Sequence, residues 1–223
     1  MKQERLRREI VATARRMNAL GINQGSSGNI GVRVDGGLLV TPSGVDYEAM
    51  KPADIVAMDL AGEWSVETAG LRPSSEWRIH RDILTARDEI GAVVHSHPTY
   101  GTALACQGKG IPAFHYMVAI AGGDSIRCSK YKTFGTEELS REALKALRHR
   151  KACLLAHHGM IACGADLAEA LKIAVEVETL ARQFWHVLLL GKPKLLSKTE
   201  MNKVLEKFAA GYGYASGPEE AVG

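Results

Sequence analysis

Short runs of period-two hydrophobicity alternate with longer runs at helical spacing along almost the whole chain, and no break is wide enough to divide it. That alternation is the strongest constraint on the fold: it specifies one α/β unit containing several antiparallel pairs. Leu6, Ile10, Ala14, Met17 and Leu20 form an apolar stripe over 3–20, a helix ended by Gly21. A Gly/Ser/Asn loop then leads into two β-like runs, Ile30–Val34 and Leu38–Thr41, joined by the hairpin signal Asp35-Gly36-Gly37. A second pair is expected at Ile55–Asp59 and around Trp64–Val66, turning at Ala61-Gly62. From Ser75 the pattern is helical, with Ile79, Ile83 and Leu84 on one face. Gly91–His97 then reads as a buried strand closed by Pro98, which cannot donate to a ladder. Thr136 is placed as the N-cap of a helix carrying Leu139, Ala143, Leu144 and Leu147, and a strand follows at Ala152–Ala156. The strongest helix spans Asp166–Leu190, and a last one runs from Thr199 to Phe208. At 223 residues the chain suits a single domain, expected over 1–214, with a Gly-rich tail at 215–223 expected to be mobile.

A formal charge of +3 with scattered basic residues carries no footprint of a nucleic-acid binder. The N-terminus mixes Glu4 and Glu9 into its basic residues and has no secretory apolar run. The apolar run Val187–Leu190 is expected to be a buried helix end, and no run in the chain approaches the ~18 residues of a membrane span. Cys106, Cys128, Cys153 and Cys163 form no CxxC pair and are read as free, buried thiols. A cytoplasmic protein is expected.

Chemistry is concentrated in the histidines. His95 and His97 stand two apart on a predicted strand, so both imidazoles point to one side, as a metal-binding pair would. The segment LLAHHGMI ends another strand at His157-His158-Gly159, and one of these could complete three imidazoles with an open coordination position. Three metal families are weighed. Gly101 stands where a cupin needs Glu, and Ala105 and Gly108 stand where the JAMM-type isopeptidases carry Ser and Asp. An amidohydrolase barrel takes roughly 250 residues. Three further segments, Gly25–Asn29, Thr41–Gly44 and Pro73–Glu76, offer hydroxyls and free backbone N–H groups suited to an oxyanion. With no Walker lysine and no GxGxxG, a phosphate monoester fits better than a nucleotide.

Taken in order, NQGSSGN, LLVTPSG, LRPSSEWRIH, AVVHSHP, IPAFHYM, AGGDSI, TFGTEELS and LLAHHGMIAC resemble the class II, zinc-dependent sugar-phosphate aldolase and epimerase family, in particular its L-fuculose-1-phosphate aldolase branch, from about Arg7 to Phe208. The resemblance implies a three-layer α/β/α sandwich on a mixed, mostly antiparallel sheet, and a homotetramer with active sites between subunits. It implies one Zn²⁺ per subunit, other divalent metals being alternatives, on His95, His97 and His158, with Glu76 as resting ligand and catalytic base. His157 is then supporting structure. It further implies a phosphate pocket of Gly28, Asn29, Ser43, Gly44, Ser74 and Ser75, and Tyr116 as proton donor from a neighbouring subunit. Near the C-terminus Tyr212 is the candidate equivalent of an aldehyde-side tyrosine, with Tyr214 its rival, because the spacing here is one residue longer than the family's.

The activity so implied is that of an aldehyde-lyase in carbohydrate metabolism, splitting a ketose 1-phosphate like L-fuculose 1-phosphate into dihydroxyacetone phosphate and an aldehyde. The alternatives are a 5-deoxyribulose or 5-methylthioribulose 1-phosphate aldolase of a salvage pathway, and a sugar-phosphate 4-epimerase or dehydratase of the same family. The epimerases carry Asp at Glu76 and a TPTH-like segment where this chain has EWRIH. A small phosphorylated sugar is the expected partner, without nucleic acid or membrane. His80, His149 and His186 are read as ordinary helix residues.

Overall fold

The computed structural model describes residues 2–211. The expected tail, Tyr212 and Tyr214 lie outside the described residues. Eight strands form one mixed sheet, β1 (Asn29–Val34), β2 (Gly37–Val40), β3 (Val56–Asp59), β4 (Trp64–Ser65), β5 (Ala92–Ser96), β6 (Arg127–Ser129), β7 (Ala152–Leu155) and β8 (Gly159–Gly164), in the order β4-β3-β2-β1-β5-β8-β7-β6. Every neighbouring pair is antiparallel except β6 with β7. The helices are α1 (Lys2–Ala19), α2 (Trp77–Ala86), α3 (Thr99–Cys106), α4 (Glu137–Ala146), α5 (Leu167–Leu190) and α6 (Lys198–Ala209).

Strand alternation divides the core into two layers. Ile30, Val32, Leu39, Val94, Leu154 and Met160 face α1, α3 and α5, while Leu38, Val40, Val93, Cys153 and Ile161 face α2 and α4. The result is a single-domain α/β/α sandwich, and the helix caps read from the sequence are formed: the hydroxyl of Thr136 accepts from Leu139 N at 3.2 Å, and Asp166 from Glu169 N at 2.8 Å.

Several elements differ from expectation. His157-His158-Gly159 follows the end of β7 as expected, but it is also the turn of a tight hairpin, so MIAC continues as β8 between β5 and β7. The turn requires φ of +54° at His157, a left-handed conformation uncommon for a side chain of this size, and that conformation is not read from hydrophobic pattern. Pro98 both closes β5 and caps α3, which carries too few apolar residues on one face to be seen by periodicity. Val187–Leu190 is not a buried helix end, since Leu190 is 90% exposed; α5 runs past the edge of the layer it covers. Cys106 is exposed and Cys128 half-buried, leaving Cys153 and Cys163 as the buried thiols, and all four are free. His149 lies just beyond α4 with φ of +55°, outside any helix. Among the described residues, no helix is long and apolar enough to cross a membrane.

Candidate metal centre and active site

The site forms where the N-terminus of α2 meets the ends of β1 and β5. His95 belongs to the same alternating set as Val93, so its ring lies on the α2 side of the sheet, and Asn29 sits directly opposite it in the β1–β5 register. Glu76 is the N-cap residue of α2 and points down at this pair. His97 follows β5, and His158 enters from the β7–β8 hairpin. Gly159 is needed at that hairpin, because a Cβ there would come within 2.4 Å of the Ser96 carbonyl oxygen and 2.5 Å of the His97 ring.

The four side chains offer ligand atoms that all lie within 4.8 Å of one another. His95 Nε2 is 2.9 Å from His97 Nε2 and 3.0 Å from Glu76 Oε2, and His158 Nε2 is 3.2 Å from Glu76 Oε1. Tetrahedral ligands at ~2.0–2.1 Å from a zinc ion are separated by roughly 3.4 Å, close to these spacings. His95 Nδ1 donates to the Met160 carbonyl at 2.9 Å. A neutral ring is thereby left with its Nε2 lone pair turned to Glu76 and His97, the tautomer a metal requires. Glu76 Oε1 is buried with no hydrogen-bond partner. Lone pairs converging on an unsatisfied buried carboxylate call for a cation, and the residues present fit a divalent metal ion.

The electrostatics agree. Burial holds the His97 imidazole down at about 3 and that of His158 at about 4, with His95 adding to both. Burial also opposes charging of His95, but the Glu76 carboxylate beside it prevails and raises it. For Glu76 itself burial acts upwards and is outweighed by His95 and His158, so it stays ionised far below the usual carboxylate range. In the metal-free protein His97 and His158, with the buried His80 held at about 3, therefore bind protons less readily folded than unfolded. Their contribution to stability is whole above pH ~6.5 and is lost as the pH falls through the interval down to their folded values. Glu76 adds a loss in the same direction below its unfolded value, and His95 opposes both. Urea unfolding of metal-free protein is expected to show a net fall in midpoint from pH 7 to pH 4.5; a flat or rising midpoint would contradict this assignment of charge.

Beside the cluster is a cavity of about 330 Å³, lined by Ser27, Ser75, Glu76, His97 and His158 together with Tyr131, Lys132, Phe134 and His157. The loops expected to bind an anion are drawn together around it. Pro42 and Pro73 form a bridge, Ser43 N donates to Arg72 O, and Ser74 N donates to Thr41 O, both at 3.0 Å. Ser75 is exposed on the cavity, whereas the buried Ser74 hydroxyl accepts from Glu76 N at 3.3 Å. Ser43 and Gly44 are exposed at the neighbouring turn, and Gly28 is buried with its carbonyl accepting from the Tyr47 hydroxyl. Asn29 directs its amide NH₂ at Glu76 Oε2, 3.2 Å away. Within one chain Tyr116 does not join this group; it lies in a 3-10 turn, 40% exposed, beside a separate groove with Phe114 and Phe208. Tyr131, Lys132 and Phe134 carried no signal separable from a polar loop, although Phe134 falls inside TFGTEELS.

Fold and site together define a class: an α/β/α sandwich whose three imidazoles and one carboxylate can hold a divalent metal beside a small polar cavity. The profile of the family described as "Class II Aldolase and Adducin N-terminal domain" matches residues 8–185, and the chain belongs to that family. It is similar to the 5-methylthioribulose-1-phosphate/5-deoxyribulose-1-phosphate aldolase of Rhodospirillum rubrum, 55% identical over 91% of this chain and 90% of the relative. It is also similar to the L-fuculose phosphate aldolase of Escherichia coli, 46% identical over 93% and 96%. A solved L-fuculose 1-phosphate aldolase superposes with a TM-score of 0.87 at 37% identity, covering 91% of this chain and 95% of that one. The chain is a class II aldolase, and so a lyase.

Proposed function

We propose that this protein is a cytoplasmic, Zn²⁺-dependent aldolase that reversibly cleaves a ketose 1-phosphate to dihydroxyacetone phosphate and an aldehyde. The observation that carries the reading is the ionised, buried Glu76 set among His95, His97 and His158 at the floor of a cavity edged by serine hydroxyls. As the ketose, 5-methylthioribulose or 5-deoxyribulose 1-phosphate is favoured over L-fuculose 1-phosphate. The relative so named shares 55% of its residues, against 46% for the fuculose enzyme. The rings of Tyr131 and Phe134 give the cavity an apolar surface suited to a methyl or methylthio end.

Breaking the bond between C3 and C4 leaves an electron pair on C3, delocalised onto the C2 ketone oxygen. A Zn²⁺ ion held by the three histidines and Glu76 supplies Lewis-acid stabilisation of that charge. The remaining work falls to the chain. The Ser75 hydroxyl and the backbone N–H groups of Gly28, Gly44 and Ser75, on turns that the Ser43–Arg72 and Ser74–Thr41 backbone bonds hold together, bind the phosphate, assisted by the N-terminal end of the α2 dipole. Cleavage is the reverse of condensation: the partner subunit's Tyr116, as phenolate, takes the C4 hydroxyl proton as the aldehyde carbonyl forms, and Glu76, in its protonated form, delivers its proton to C3 and returns to carboxylate. In condensation Glu76 removes the C3 proton and Tyr116 protonates the new alkoxide. The exposure of Tyr116 on a groove away from its own chain's cavity supports this assembly, a homotetramer with sites between subunits.

The test is release of dihydroxyacetone phosphate from a panel of L-fuculose, L-rhamnulose, 5-deoxyribulose and 5-methylthioribulose 1-phosphates, by coupled detection. Chelation is expected to abolish turnover and Zn²⁺ to restore it. No product from any member of the panel would sink the reading, and an epimerised ketose would redirect it.

A further inference from the structure

His80 lies one helical turn after Glu76 on α2, so both side chains descend on the same stretch of sheet. Its imidazole is wholly buried, and its Nε2 is 2.5 Å from Asn29 Oδ1, whose amide NH₂ reaches Glu76 Oε2 at 3.2 Å. The direction of every proton in this chain is fixed from one end. An ionised carboxylate only accepts, so the amide must offer its nitrogen to Glu76 and its oxygen to His80, and His80 must then carry its proton on Nε2. His80 Nδ1 is left as a bare lone pair, buried and without a hydrogen-bond partner. An apolar residue would fill this place without that penalty, so packing alone does not explain a histidine here.

The sheet is shaped to admit the ring. Gly31 follows Asn29 by two on β1 and shares its face, and a Cβ on Gly31 would lie 2.6 Å from both Cβ and Nδ1 of His80. Only a residue without a side chain lets His80 pass over β1 to reach Asn29. The consequence falls on Glu76, whose two oxygens become unequal. Oε2 is anchored by Asn29 and lies 3.0 Å from His95 Nε2, while Oε1 has no hydrogen bond.

We propose that His80 is a positioning residue for the active-site carboxylate: its Nε2–H holds the Asn29 amide, and the amide anchors one oxygen of Glu76 so that the other stays free for the metal and for proton transfer. This rests on the reading of Glu76 as metal ligand and base, and it gives the Asn29 side-chain amide a role at the carboxylate beside the phosphate turn.

Four variants, His80→Leu, His80→Gln, Asn29→Ala and the Leu/Ala double variant, would be compared in three measurements. These are the Asn29 side-chain NH₂ resonance in metal-free protein of the wild type and the two His80 variants, and, for all four, Zn²⁺ affinity by competition with a chelator and kcat with KM on the best member of the ketose panel. His80→Leu is expected to shift the Asn29 resonance and to lower Zn²⁺ affinity and kcat by about 10–100-fold, with KM changed by less than about threefold. His80→Gln, which restores a donor near the Nε2 position, is expected to recover both to within about threefold, and Asn29→Ala should add nothing in the His80→Leu background. Should His80→Leu fail to fold, His80→Met against His80→Gln gives the same contrast of donor absent and donor present. An unmoved Asn29 resonance, additive losses in the double variant, or affinity and kcat left at wild-type levels by His80→Leu would overturn the proposal. Wild-type protein that binds no Zn²⁺ would overturn the metal reading instead, and the Asn29 resonance, read without metal, then decides the proposal alone.

Discussion

Exchange of Glu76 for Gln is expected to lower turnover by about 10³-fold, ~4 kcal/mol of barrier, within the range that general acid–base groups supply. Glutamine has nearly the same shape, so the packing of the α2 N-terminus is preserved and the loss reports chemistry. The substitution removes the negative charge at the centre of the cluster and the only group there able to shuttle a proton to carbon. Its amide NH₂ would also face either the Asn29 amide or the histidine nitrogens, since both oxygens of Glu76 are placed among such groups. Metal content should therefore fall as well, and the decisive measurement is kcat at Zn²⁺ concentrations that restore full occupancy by elemental analysis. A Gln variant that is fully loaded and turns over at the wild-type rate would strip Glu76 of its role as base.

The largest effect on the metal centre is expected from His95→Ala, which should reduce Zn²⁺ content and turnover to background even with added metal. His95 is the hub of the cluster: fully buried, fixed in its tautomer by Met160 O, and within 3.0 Å of Glu76 and 2.9 Å of His97. Its removal deletes a ligand, leaves the Met160 carbonyl without its donor, and strands a buried carboxylate beside a void. An unsatisfied buried acceptor alone costs about 1–3 kcal/mol, so the thermal midpoint should fall too. His186→Ala, on the exposed face of α5, is the control and should leave both properties unchanged. Stoichiometric Zn²⁺ in purified His95→Ala protein would show that the ion binds elsewhere.

The layered α/β plan, most helix boundaries and the first two hairpins were legible in the sequence, because each depends on local periodicity and on turn residues at fixed offsets. The HxH pair was legible for the same reason: strand alternation alone puts His95 and His97 on one side. Local pattern does not report what turns back. The continuation of HHG into β8 hinged on a left-handed His157, and α3 on a proline that ends one element and begins the next.

The sequence by itself determined that a cluster of histidines and small polar loops exists, and which segments carry it, since those are properties of neighbours in the chain. Only the tertiary structure decided how the cluster is wired. Glu76, His95 and His158 come from three separate elements, and their convergence is set by the β1–β5–β8 order of the sheet. His80 shows the difference most sharply. In the sequence it is one more histidine on a helix face, while in the fold a missing side chain on Gly31 opens the path to Asn29. Hydrogen-bond direction then propagates from the charge of Glu76 through Asn29 to His80, a dependence that exists only when all three meet in space.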